Sequence, residues 1–108
     1  MDLQLNNKVA LVTGSTAGIG FAIAESLARE GASVIVNGRT AARTEAAAQK
    51  IRAAIPHAKV TPFAADLATA AGTDEQVRIF PAVDILVNNL GIFEPKPFEE
   101  ITEKLNNV

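Results

Sequence analysis

The residues with the most chemistry in them are three glycines. In Thr13-Gly14-Ser15-Thr16-Ala17-Gly18-Ile19-Gly20 they recur as Gly-x-x-x-Gly-x-Gly, directly after the aliphatic run KVALVT of residues 8–13. Between a strand and a helix such a turn has a specific use. Gly14 takes the tight turn off the strand, Gly18 lets backbone approach a pyrophosphate, and Gly20 lets the helix lie close to the sheet. The orphan amides and positive end of that helix then face the phosphates. Glycines also collect at ordinary turns; the strand-turn-helix setting is what favours a phosphate or dinucleotide site that includes Ser15, Thr16 and Ile19. Other reactive residue types offer less. His57 follows Pro56 with no second His and no Cys to share a metal. Ser15 and Ser26 have no adjacent base to activate them, so no nucleophile and no metal site is expected. The five phenylalanines read as core or loop anchors.

The elements that must position the glycines follow from the apolar pattern. Residues 8–13 form a first strand, buried on both faces. A helix begins at Ile19, with its apolar stripe at Ile19, Ile23 and Leu27 and a glycine, Gly31, at its C-cap. Residues 33–37 (SVIVN) repeat the buried-strand pattern. Thr40 then caps a second helix with an inner stripe of Ala47, Ile51 and Ile55, stopped by Pro56. Residues 59–64 make a third strand, and Pro62 assigns it to a sheet edge, where a ladder hydrogen bond is dispensable. Thr73-Asp74-Glu75-Gln76 matches a capping box and opens a short helix through Val77 and Phe80 that ends at Pro81. Residues 84–88 (DILVN) are a fourth strand. Beyond Gly91, Pro95 and Pro97 precede a helix start within residues 99–105.

Strands alternating with helices imply parallel pairing and right-handed crossovers. The expected fold is α/β, a Rossmann-like doubly wound parallel sheet in the order 3-2-1-4. It is incomplete, since about three helices must cover strands that are apolar on both faces. The fourth strand is left as an edge open to another chain.

Composition sets the outer limits. The chain has 108 residues, 48% of them hydrophobic and 20% charged, which places it with single globular domains and away from disorder. Its ten basic and twelve acidic residues are mixed along the chain, giving a net charge of −2 and no stripe for a nucleic-acid backbone. No apolar run reaches bilayer length. With no cysteine there is no disulfide framework or thiolate site, and the first eight residues have neither the basic start nor the apolar core of a secretory signal. The expectations are no nucleic-acid partner, no membrane and a cytoplasmic setting.

The glycine turn after Thr13, together with Asn88-Asn89-Leu90-Gly91 after the fourth strand, resembles the short-chain dehydrogenase/reductase family over residues 8–102. The resemblance implies a Rossmann fold, a nicotinamide dinucleotide and hydride transfer to or from a small-molecule carbonyl or alcohol, in an enzyme that assembles as a homo-oligomer. It also implies that Asp66 and Leu67 flank the adenine and that Asn89 and Gly91 line the cofactor ribose. Asp66 serves equally well as a helix N-cap, and Asn88 as a tie between loop and sheet. After strand two, where an acid would bond the ribose 2′-hydroxyl of NAD, stands Asn37-Gly38-Arg39. A guanidinium there binds a 2′-phosphate and stacks on adenine, so Arg39, with Asn37 beside it, argues for NADP(H) over NAD.

Two departures from the family stand out. Leu90 occupies a usual alanine position. More seriously, family catalysis uses Tyr-x-x-x-Lys with an upstream Ser, and this chain has no tyrosine. Residues 1–108 therefore read as one dinucleotide-binding domain, cut after the fourth strand and its loop, without catalytic residues and inactive alone. Two other functions compete: a non-catalytic nucleotide-binding or assembly module completed by a partner chain, and a methyltransferase-like adenosyl site, against which the missing acid after strand two counts.

Overall fold

The computed structural model describes residues 5–89. In chain order the elements are β1 (Val9–Val12), α1 (Gly18–Arg29), β2 (Ser33–Gly38), α2 (Ala41–Ala54), β3 (Lys59–Ala64), α3 (Ala70–Ile79) and β4 (Ile85–Val87). Every pairing is parallel and the order is β3-β2-β1-β4, as the alternation of elements predicts. Leu90, Gly91 and the helix start expected within residues 99–105 lie outside the described residues.

Side-chain alternation along the strands builds two cores. The register sets Ala10 beside Val34 and Ile85, and Val12 beside Val36 and Val87. These residues face α1 and α2 and pack in one cluster with Ala24, Ala28, Ala47, Ala48 and Ile51. Ile51 is fully buried there, which stabilises the fold by roughly 1.5–3 kcal/mol. On the opposite face Leu11, Ile35 and Phe63 form a smaller cluster, with Phe80 packed against it. The Phe63 and Phe80 rings meet edge-on, their centroids 5.2 Å apart. β3 is an edge strand, so Pro62 sits opposite Val36 with its missing N–H costing the ladder nothing.

Local details correct two expectations. The face of α1 against the sheet is Gly20, Ala24 and Ala28, not Ile19, Ile23 and Leu27. Ile19 is 67% exposed, while Ile23 and Leu27 pack at the margin of the core. Small residues face inward because the helix lies close to the strands. In addition, α3 starts one turn earlier than the capping box suggests. Its N-cap is Thr69, whose hydroxyl accepts from the Gly72 N–H at 3.0 Å. Thr73 Oγ1 instead donates back to the Thr69 and Leu67 carbonyls.

Candidate functional site

The glycine turn rises from the carboxyl end of β1, where it meets the ends of β2, β3 and β4. Gly14 and Gly18 have φ of 57° and 63°, in the left-handed region that glycine enters without steric cost. A Cβ on Gly18 would meet nothing within 4 Å, so its backbone stands open to one side. Gly20 is the opposite case. A Cβ there would press on the Gly14 carbonyl, the Asn89 amide and the Ser15 backbone, so this glycine is required for the helix to approach the sheet.

Beneath the turn lies a hydrogen-bonded floor. Asn37, 1% exposed, accepts from the Gly14 N–H through Oδ1 at 3.1 Å and donates through Nδ2 to the Phe63 and Ala65 carbonyls, both at 3.1 Å. Its backbone N–H donates to Ser15 Oγ at 2.9 Å, and its carbonyl accepts from the Ser15 N–H at 2.8 Å. The Ser15 hydroxyl, fully buried, donates to the Val12 carbonyl at 2.7 Å. One asparagine thus joins the glycine turn to β2 and to the end of β3. Asn89 does the same on the other side. Its N–H donates to Thr13 Oγ1 at 2.7 Å and its Nδ2 to the Gly14 carbonyl at 3.3 Å. Asn88 adds a long contact, its Oδ1 accepting from Thr13 Oγ1 at 3.4 Å. Both asparagines therefore tie loop to sheet. Gly91, expected to line the ribose with Asn89, lies outside the described residues.

Over this floor opens a cavity of about 470 Å³. The turn contributes Gly14 and Thr16; the end of β2 contributes Asn37, Gly38 and Arg39; the start of α2 contributes Thr40 and Arg43; Ala65, Asp66 and Leu67 close it from β3. The structure thus brings Gly14, Thr16, Asn37, Arg39, Asp66 and Leu67 together on one cavity, with Gly18, Ile19 and Gly20 at the adjoining helix start. Ser15 lies under the floor. Asp66 is not a helix cap: Thr69 is, and Asp66 Oδ1 accepts from the Ala68 N–H at 3.0 Å, closing the turn that leads to the cap. Thr40 and Arg43 were not apparent as site residues in the sequence. The signal for Arg43 was its place one turn into the helix that Thr40 caps.

The helix starts differ in a way that bears on phosphate. Thr40 Oγ1 accepts from the Arg43 N–H at 3.3 Å, and Thr69 caps α3. α1 begins at Gly18, behind an N-cap, Ala17, that has no side-chain acceptor. Its amide end is therefore left to an outside acceptor. A left-handed open glycine, an uncapped helix start and a cavity whose largely apolar wall carries two guanidinium-bearing residues suit the phosphates and adenosine of a dinucleotide.

A parallel sheet in this order, with the glycine turn and cavity at the carboxyl ends of its strands, defines the doubly wound nucleotide-binding class. Within that class the chain belongs to the short-chain dehydrogenase family, whose model matches residues 8–107. It is 50% identical over 103 residues to the oxidoreductase YvaG of Bacillus subtilis, covering 95% of this chain and 39% of that protein. It is 42% identical to galactitol 2-dehydrogenase of Agrobacterium fabrum, covering 94% of this chain and 40% of the relative. Among solved structures it matches the L-sorbose reductase of Gluconobacter frateurii, complexed with NADPH and L-sorbose, at a TM-score of 0.77 and 40% identity over 93% of this chain and 39% of that one. The chain therefore spans about 40% of the length of these relatives. Among the described residues no helix is long and apolar enough to cross a membrane.

Proposed function

We propose that this chain is the NADP(H)-binding half of a short-chain oxidoreductase, whose whole protein moves a hydride between the nicotinamide and a small carbonyl or alcohol substrate. The observation that carries the cofactor preference is Arg39, at the wall of the adenosine-sized cavity, with no acid after β2 to bond a free 2′-hydroxyl. The α1 start and Gly18 hold the pyrophosphate through backbone amides. Asp66 and Leu67 border the adenine, and Arg39 takes the 2′-phosphate through charge-assisted, paired N–H···O bonds. When bound, the cofactor supplies or accepts the hydride; these residues bind and orient it. With no tyrosine in the chain, the family's proton-donating phenol must come from elsewhere, so residues 1–108 bind cofactor without turning over substrate. L-sorbose reductase, complexed with NADPH, and the Pseudomonas aeruginosa RhlG/NADP complex, with a TM-score of 0.73 and 34% identity, support the preference.

The test is calorimetric titration of the chain with NADPH and NADH. NADPH is expected to bind more tightly, and Arg39→Ala to remove most of that advantage, roughly 10-fold or more for a charge-assisted pair. Equal affinities, or an Arg39→Ala chain that keeps the full preference, overturn the assignment.

A further inference from the structure

Arg39 is one of two cations on the cavity wall. Arg43, one turn into α2, lines the same cavity, and it also lines a second one of about 230 Å³ with Thr16, Ala46 and Lys50. Thr16 and Arg43 belong to both walls, so the two cavities adjoin and Arg43 stands at the divide. Helical side chains lean toward the N-terminus of their helix, the end of α2 at which Thr40 and the nucleoside cavity lie. The Asp66 carboxylate lines the same cavity, and the ion pair between Arg29 and Glu25 involves neither Arg39 nor Arg43.

We propose that Arg43 is a second specificity-determining residue, closing on the 2′-phosphate from the α2 side while Arg39 holds it from the end of β2. This rests on the NADP(H) reading of the cavity. The chemical reason is the count of acceptors. A phosphate monoester near neutral pH carries a charge between −1 and −2 on three terminal oxygens, and one guanidinium fork engages two of them. A second guanidinium on the neighbouring wall satisfies the third and neutralises the remaining charge. The phosphate in turn relieves the repulsion between the two cations that share one cavity. A ribose with a free 2′-hydroxyl gives Arg43 nothing to bind, so its contribution belongs to the phosphorylated cofactor alone. Lys50 lies seven residues further along the same helical face and lines the second cavity but not the nucleoside one, which makes it the natural control for charge without contact.

The test uses adenosine 2′,5′-bisphosphate and adenosine 5′-phosphate, which probe this half of the cofactor, alongside NADPH and NADH. Titrations are run on the unaltered chain and on Arg39→Ala, Arg43→Ala, Arg43→Gln and Lys50→Ala, each checked by circular dichroism, in about 0.15 M salt to limit long-range attraction. Arg43→Ala and Arg43→Gln are expected to weaken NADPH and the bisphosphate roughly 10-fold, the range for a bond to a charged group. They should leave NADH and adenosine 5′-phosphate within about twofold, as should Lys50→Ala for all four ligands. If Arg39→Ala removes the preference and both Arg43 variants keep it, the Arg43 assignment falls while the NADP(H) reading stands. Equal losses from Lys50→Ala and Arg43→Ala would mean that general positive charge is at work, which also overturns it. If the unaltered chain shows no preference for the 2′-phosphorylated ligands, both readings fall together.

Discussion

Asn37 shows how a residue at a binding site can serve the architecture. Its position after β2 reads in the sequence as a cofactor contact, and it does border the cavity. Its amide, however, is engaged by three backbone groups, one each from Gly14, Phe63 and Ala65. The asparagine amide fits because it offers an acceptor on one side and two donors on the other. Asn37→Ala removes all three bonds at a buried point and is expected to cost about 2–4 kcal/mol, given roughly 1–3 kcal/mol for each buried group left unpaired. Asn37→Asp keeps the shape but turns an oxygen toward two carbonyls, and should destabilise at least as much. Urea denaturation monitored by circular dichroism measures both. A loss under about 1 kcal/mol for either variant contradicts the strut. Ser15 belongs to the same floor, which is why a residue of the glycine turn ends up fully buried beneath the groove.

At the scale of elements, the order of strands and helices was legible because the buried strands, Thr40 and Pro62 each carry an unambiguous local rule. The orientation of α1 was not. The stripes Ile19, Ile23, Leu27 and Gly20, Ala24, Ala28 are offset by one residue, and hydrophobicity favours the larger side chains. Close approach to the sheet reverses that choice, because only small residues fit between helix and strand. The start of α3 failed for a related reason: two threonines four residues apart are both competent caps, and tertiary placement selects Thr69. The cavity residues Thr40 and Arg43 follow Arg39 directly in the chain, but they come to face Asp66 only when β2 and β3 pair. The helix starts also yield a prediction. Ala17 has the extended backbone of an N-cap, φ −158° and ψ 168°, without the side chain of one. Ala17→Asn and Ala17→Asp should stabilise the unliganded chain by about 0.5–1 kcal/mol, since a cap then accepts from the first turn. Both should bind NADPH more weakly, the aspartate more so because it also repels phosphate. Thermal melts with and without NADPH report the two effects separately; a higher melting temperature with an unchanged ligand-induced shift contradicts the use of those amides for phosphate.

Across the whole molecule, burial falls from one side of the sheet to the other. α2 presents Thr44, Ala47, Ala48 and Ile51 to the core, and β1 and β2 are almost wholly buried. α3 buries only Gly72 of its ten residues, and β4 buries none of its three. Leu86 pairs with Leu11 in the ladder yet is 62% exposed, with Val77 at 57% and Ile79 at 42%. Local opening follows such differences, because an element with few buried contacts unfolds at less than the global free energy. Native-state hydrogen exchange on the 108-residue chain should therefore show the amides of Leu11, Val12, Ile35 and Val36 opening only with the whole fold. Those of Val77 and Leu86 should exchange at least ~100-fold faster. Uniform protection would contradict the gradient. The same measurement at two protein concentrations bears on the competing function, an assembly module that completes its sheet through a partner. A second copy docked along β4 would shield Leu86 by mass action, so its protection would rise with concentration while that of Ile35 stayed constant. Concentration-independent exchange at Leu86 counts against self-assembly along β4.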